Sequence, residues 1–176
     1  MDHVGLVVPD LEVALELFVD ALGAQLLFVH GPYRGGADAH LQQRQFERHR
    51  RTEVEKIAMV RIGPTNFELL QFSAPDQRRD VPRTSDLGGH HVALYVDDIE
   101  VAAEHLRAHG VRVLGVPMPL QGPESGPRAV FVFALTNWGL ALELVSYPGG
   151  KQYEATSELQ LFDPRQQSLW NPVVSD

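Results

Sequence analysis

The chain has 176 residues, 44% of them hydrophobic, which suits one compact domain or two small fused modules. It contains no cysteine, so disulfides and thiolate chemistry are excluded, and any bound metal must be held by histidine, aspartate or glutamate. The formal net charge of −8 argues against nucleic acid as a partner, because nucleic-acid-binding domains usually carry a basic face.

The chain shows no targeting or membrane segment. No apolar run reaches the roughly 18 residues that span a bilayer, and no basic region followed by an apolar stretch opens the sequence. We therefore expect a cytoplasmic protein that contacts no membrane.

The first part of the chain predicts a strand, a helix and three further strands. Residues 3–8 alternate between two faces, as a strand does. Asp10 can cap a helix whose apolar residues recur at helical spacing, and Gly23 is placed to end it. Further strands are predicted at 24–30, 57–62 and 66–72.

A long polar excursion, residues 31–55, interrupts this pattern, and loops of such length are usually functional or disordered. Its Gly35-Gly36 pair is interpreted as a flexible turn. Two interpretations of its basic character stay open: a solvated surface segment, or a mobile flap over an oxygen-rich or anionic substrate. Its glutamates are weaker candidates for a second base. The basic residues are Arg34, Arg44, Arg48, Arg50 and Arg51, with Lys56 directly after the excursion, and the glutamates are Glu47, Glu53 and Glu55.

The remainder of the chain repeats the same order of elements. A Pro- and Gly-containing linker is predicted at 74–89, between a first module at 1–73 and a second module at 90–147. Residues 148–176 carry several apolar groups, including Trp170, and are expected to pack on the body or on a partner subunit. The second module's elements are strands at 90–96, 111–116, 130–135 and 140–146, with a helix from about Asp98 to His109.

Each module offers one histidine and one glutamate at matching places. His3 and His91 begin the repeated first strands, 91 − 3 = 88 residues apart, and Glu68 and Glu143 lie inside the apolar last strands, 143 − 68 = 75 apart. An ionised carboxylate on the inner face of a sheet is costly unless a cation compensates it. The alternatives are that these glutamates are exposed at an edge or paired with arginine. Because both pairs recur, we predict a metal site with four ligands.

These motifs resemble the vicinal oxygen chelate superfamily, which has the glyoxalase and bleomycin-resistance fold. The resemblance covers about residues 2–147 and rests on the two His-Val pairs, the two Glu-Leu pairs and the acidic helix starts at 10 and 97–98. It implies an α+β fold of two tandem βαβββ modules that form a curved mixed sheet around a metal. The stretches 88–91 and 146–150 further resemble the branch of 2-epi-5-epi-valiolone epimerases.

The resemblance also implies the chemistry of the site. Two imidazoles and two carboxylates suit Zn first, and Mn, Ni, Co or Fe as alternatives. A hydroxyketone would bind through neighbouring oxygens, an enediolate would form, and Glu68 or Glu143 would act as the general base. The expected reaction is the epimerisation of 2-epi-5-epi-valiolone to 5-epi-valiolone in cyclitol natural-product biosynthesis.

Other activities of this fold stay open. Extradiol dioxygenases fit less well because they use two histidines and one carboxylate. A glyoxalase I-like lyase and a methylmalonyl-CoA-type epimerase are the alternative enzymes, and a drug-sequestering binding protein is the alternative from another class. The expected partners are a small polar substrate with vicinal oxygens and a second copy of the chain in a homodimer.

Overall fold

The computed structural model describes residues 1–34 and 39–165, and none of the helices in these ranges has the length and apolar character that would cross a bilayer. The residues Gly35-Gly36 and Trp170, discussed above, lie outside the described ranges. The elements are β1 (Val4–Val7), α1 (Leu11–Leu15), β2 (Gln25–His30), α2 (Ala39–Phe46), β3 (Glu53–Ile62), β4 (Thr65–Ser73), β5 (His91–Tyr95), α3 (Ile99–Ala108), β6 (Arg112–Pro119), β7 (Val130–Leu135) and β8 (Ala141–Ser146).

The described elements form two compact units, Met1–Asp80 and Val81–Asp176, and the boundary falls inside the predicted linker 74–89. The first unit contains a four-stranded sheet of order β1-β4-β3-β2, and the second contains one of order β5-β8-β7-β6. In each sheet the first strand of the unit pairs in parallel with the last, and the other pairs are antiparallel. The prediction of an α+β fold with two tandem βαβββ modules is confirmed.

One face of each sheet is covered by a helix. In the first unit α1 continues as a π-helical turn, Glu16–Ala21, and Phe18 from this turn packs on Phe67 of β4 with ring centroids 5.7 Å apart. In the second unit Leu106 of α3 and Leu144 of β8 are each 2% exposed. Because side chains alternate along a strand, the intervening residues of β4 and β8 lie on the opposite face, away from α1 and α3.

The two helices begin in the same way. Asp10 accepts a hydrogen bond from the backbone N–H of Val13, at 3.1 Å, and Asp98 accepts from those of Glu100 and Val101. These side chains satisfy amide donors that have no partner inside a helix. Gly23 follows the first helix with φ +70°, a left-handed backbone that glycine adopts without strain.

The excursion 31–55 differs most from the prediction of a loop. It contains α2 and the beginning of β3, whose residue Glu53 is in register with Ser73 of β4. The sequence of α2, AHLQQRQF, consists largely of good helix formers but lacks a continuous apolar stripe. The first residues of β3 are mostly polar, and the strand includes them because their backbone groups pair with β4 independently of the side chains.

Candidate functional site

Strand register brings His3 and Glu68 together in the first unit. Gly5 of β1 is aligned with Glu68 of β4, and His3 precedes Gly5 by two residues, so it lies on the same face. The Nε2 atom of His3 is 3.4 Å from Oε2 of Glu68, and the two side chains are 36% and 24% exposed. This face is the one opposite α1.

The second unit repeats the arrangement. Ala93 of β5 is aligned with Glu143 of β8, and His91 precedes Ala93 by two residues. The Nε2 atom of His91 is 3.1 Å from Oε2 of Glu143, with side-chain exposures of 42% and 17%. The same parallel pairing of the first and last strand of each unit therefore produces the same His–Glu pair twice.

The geometry of each pair fits two adjacent ligands of one divalent cation. Metal bonds of about 2.1 Å at angles of about 90° to 110° place their two donor atoms about 3.0 to 3.4 Å apart. Imidazole nitrogen and carboxylate oxygen are donors that Zn, Mn, Fe, Co and Ni accept. The same distances also suit a hydrogen bond between imidazole and carboxylate. The duplication of the pair and the surroundings of the glutamates favour a metal.

Those surroundings argue against both alternatives considered for the glutamates, an exposed edge position and an arginine partner. Neither side chain is fully exposed, and within residues 1–34 and 39–165 neither Glu68 nor Glu143 forms an ion pair with lysine or arginine. Each carboxylate has a histidine as its partner instead. A partly buried carboxylate beside an imidazole nitrogen offers two donors that suit a divalent metal.

The structure places the four predicted ligands as two pairs, His3 with Glu68 and His91 with Glu143. In the part of the chain that the structure describes, no group of three or more histidine and carboxylate side chains that could hold a metal is found. The assembly of all four around one cation therefore stays a prediction, in which each unit supplies half of the ligands.

Asp2 contacts His3 on the other side of its ring and was not identified from the sequence. The Nδ1 atom of His3 lies 2.6 Å from Oδ2 of Asp2, so the imidazole is held between Asp2 and Glu68. The hydrogen bond to Asp2 raises the pKa of His3, desolvation opposes the rise, and the charge of Glu68 adds to it. A carboxylate on the second nitrogen orients a metal-binding imidazole and increases its basicity. The sequence feature that could have indicated this role is the position of Asp2 directly before His3.

The Asp2→Asn variant is expected to bind its metal about 10- to 100-fold more weakly, because an amide fixes the ring less firmly than a carboxylate does. Competition with a coloured chelator would measure the affinity. His90→Ala is the matched control: His90 occupies the equivalent position before His91, but its Nδ1 lies 3.2 Å from the carbonyl oxygen of Gly88. Equal affinities for Asp2→Asn and the parent protein would contradict the orienting role.

An aromatic side chain supports the histidine of the second unit. Phe133 of β7 is aligned with Glu143, and its ring meets that of His91 edge to face, with centroids 5.3 Å apart. Phe131 packs in turn on Phe133 at 6.0 Å. The structure therefore places an aromatic ring directly against the candidate ligand His91.

Of the three glutamates of the excursion, Glu55 lies on the side of the sheet away from Glu68. Glu55 accepts a hydrogen bond from Gln71 at 2.6 Å, and Gln71 accepts one from the backbone N–H of Leu11 at the start of α1. Glu55 is therefore on the helix-covered side of the sheet. Glu53 lies 4.0 Å from Arg34, whereas Glu47 is exposed.

Comparisons with known proteins support a relationship over most of the chain. The family model of the Glyoxalase/Bleomycin resistance protein/Dioxygenase superfamily matches residues 2–131. A 2-epi-5-epi-valiolone epimerase from Actinomyces sp is 44% identical over 165 residues, which cover 92% of this chain and 87% of that protein.

Solved structures show the same fold at lower identity. A glyoxalase family protein from Bacillus cereus superposes with a TM-score of 0.63 at 22% identity, over 83% of this chain and 92% of that one. The fosfomycin resistance protein FosX from Listeria monocytogenes, solved with Mn(II) and 1S,2S-dihydroxypropylphosphonic acid, gives a TM-score of 0.53 at 14% identity, over 82% and 87%. The chain therefore belongs to the glyoxalase, bleomycin resistance protein and dioxygenase superfamily.

Proposed function

We propose that this protein is a metal-dependent epimerase that converts 2-epi-5-epi-valiolone to 5-epi-valiolone in cyclitol natural-product biosynthesis. The observation that carries the proposal is the duplicated His–Glu pair, at equivalent register positions of both units. The reaction and substrate are suggested by the epimerase from Actinomyces sp, which is 44% identical over 92% of this chain.

The proposed metal ligands are His3, Glu68, His91 and Glu143. Their two imidazoles and two carboxylates suit Zn, our first choice, and also Mn, Ni, Co or Fe. Two carboxylates balance the charge of a divalent ion and leave coordination positions for substrate oxygens. When bound, the ion would supply Lewis-acid stabilisation of negative charge on the carbonyl and adjacent hydroxyl oxygens of a hydroxyketone.

The glutamates supply the proposed proton transfer. Glu68 or Glu143 takes the hydrogen of the hydroxyl-bearing carbon next to the carbonyl as a proton, and the electron pair of the C–H bond delocalises toward the carbonyl oxygen. A proton from solvent then adds to the opposite face of the same carbon, and the glutamate releases to solvent the proton that it took, so the configuration inverts while the composition is unchanged. Each glutamate is partly shielded from water, with side-chain exposures of 24% for Glu68 and 17% for Glu143. This shielding favours proton exchange between the carboxylate and the substrate over exchange with water.

Proton NMR in D2O tests this function directly. The metal-reconstituted protein is incubated with 2-epi-5-epi-valiolone, and the signal of the hydrogen next to the carbonyl is expected to disappear as deuterium enters the product. Formation of 5-epi-valiolone would identify epimerisation, whereas a product with the carbonyl moved to the neighbouring carbon would indicate the isomerisation typical of glyoxalase chemistry. Unchanged substrate, with metal bound, would contradict the proposal.

A homodimer is proposed from the exposed edge of the first unit. Strand β2 presents Leu26, Leu27, Phe28 and Val29, which are 46%, 49%, 51% and 48% exposed. A continuous apolar edge of this kind favours association. Sedimentation at the monomer mass of 19.6 kDa would contradict it. The cytoplasmic location stays a prediction from the sequence.

A further inference from the structure

The face of the first unit that carries His3 and Glu68 extends along β4 to Phe72. Gln71 bonds to the start of α1, and Leu69 is fully buried, so these residues lie on the helix side. Glu68, Leu70 and Phe72 alternate with them and share the opposite face. Phe72 thus marks the far end of the surface on which the proposed substrate would bind.

Arg48 from the excursion lies over this far end. Its guanidinium carbon is 4.6 Å from the ring centroid of Phe72 and 4.8 Å from that of Phe46, which ends α2. A cation–π contact with an aromatic ring holds a guanidinium without using its N–H donors, which can still form hydrogen bonds. Arg48 is half-buried, and within the described residues no side-chain hydrogen bond or ion pair occupies these donors.

In the second unit an arginine also lies over an aromatic ring, but carboxylates accept hydrogen bonds from its guanidinium. Tyr147 follows Glu143 by 147 − 143 = 4 residues, as Phe72 follows Glu68 by 72 − 68 = 4, and Arg165 lies 5.2 Å from the Tyr147 ring. The guanidinium of Arg165, however, donates to Glu154 at 3.1 Å and to Asp163 at 2.7 Å.

The guanidinium of Arg165 is therefore satisfied by carboxylates, and its contacts hold the segment 152–165 against the ring of Tyr147. Among the described residues, no carboxylate satisfies the guanidinium of Arg48 in this way.

We propose that Arg48 is a substrate-binding residue that donates hydrogen bonds to hydroxyl oxygens at the end of the substrate remote from the reacting carbon. This inference rests on the proposed function. Four residues of strand separate Glu68 from Phe72 by about 13 Å. Glu68 and Arg48 therefore stand at opposite ends of one stretch of this face, where they can contact opposite ends of one substrate.

Steady-state kinetics with 2-epi-5-epi-valiolone test the proposal. Arg48→Gln is expected to raise KM about 10- to 100-fold, as the loss of a hydrogen bond to a charged group predicts, and to leave kcat within about threefold. Arg50→Gln is the matched control, because Arg50 is exposed in the same segment and its replacement removes the same charge. Its KM is expected to equal that of the parent protein.

Chemical rescue separates binding from a merely structural role. Guanidinium chloride at millimolar concentration is expected to lower the KM of Arg48→Ala toward the parent value and to leave Arg50→Ala unchanged. If Arg48→Gln does not fold, Arg48→Lys tests the same role. Lysine retains the positive charge but lacks the planar set of N–H donors of a guanidinium, so the KM of this variant is expected to rise about 5- to 30-fold.

Failure of this inference is distinguishable from failure of the proposed function. If the parent protein epimerises the substrate and the Arg48 variants match the Arg50 variants in KM, the role of Arg48 is overturned and the function stands. If the metal-loaded parent protein neither exchanges the substrate hydrogen nor forms product, the proposed function fails and the assignment of Arg48 falls with it.

Discussion

Replacing Glu68 or Glu143 by glutamine is expected to lower kcat for epimerisation by about 10²- to 10⁴-fold, the range that general acid–base catalysis contributes. Glutamine has the size of glutamate, so the packing around each side chain is retained. Its neutral amide cannot accept the substrate's proton, and it is a weaker ligand for a divalent cation. Product formation and deuterium exchange, followed by NMR in D2O, measure both effects.

The two variants also distinguish the base from a ligand. The glutamate that acts as the base is the one whose variant still contains metal but no longer exchanges the substrate hydrogen. Glu104→Gln is the control, since Glu104 lies on α3 with a side chain that is 77% exposed, and its rate is expected to stay within about twofold of the parent. Parent-like exchange in both Glu68→Gln and Glu143→Gln would show that neither carboxylate is the base.

Removal of the metal is expected to abolish epimerisation and to lower the free energy of unfolding. A ligand that binds only the folded state stabilises it by about 4 kcal/mol at a concentration 1,000 times its Kd. Thermal unfolding before and after dialysis against a chelator measures the loss, and elemental analysis gives the metal identity and stoichiometry. Adding back Zn is expected to restore activity and stability together.

Variants of the histidines connect this effect to the predicted ligands. His3→Ala and His91→Ala are each expected to reduce metal affinity, because each removes one imidazole from the proposed set of four. His90→Ala, whose side chain contacts the carbonyl of Gly88, is expected to retain it. A purified protein with far less than one equivalent of metal, and no gain in activity when metal is added, would favour a drug-sequestering binding protein.

The sequence predicted the repeated modules because their signals are local. Alternation along β1 and β5, helical spacing after Asp10 and Asp98, and apolar last strands each depend on a few neighbouring residues. The excursion was less predictable. Helix α2 lacks an apolar stripe, and the first residues of β3 are polar, so the strand there reflects pairing with β4, a partner distant in sequence.

The amino-acid sequence by itself determined the duplication and the four candidate ligands, because a histidine and a glutamate recur in matching strands. Only the tertiary structure decided which side chains meet. The register of β1 against β4 places His3 at Glu68 across more than sixty residues, and the fold of the excursion stacks Arg48 on Phe72. Such contacts depend on the pairing of distant backbone segments, and no periodicity along the chain encodes that pairing.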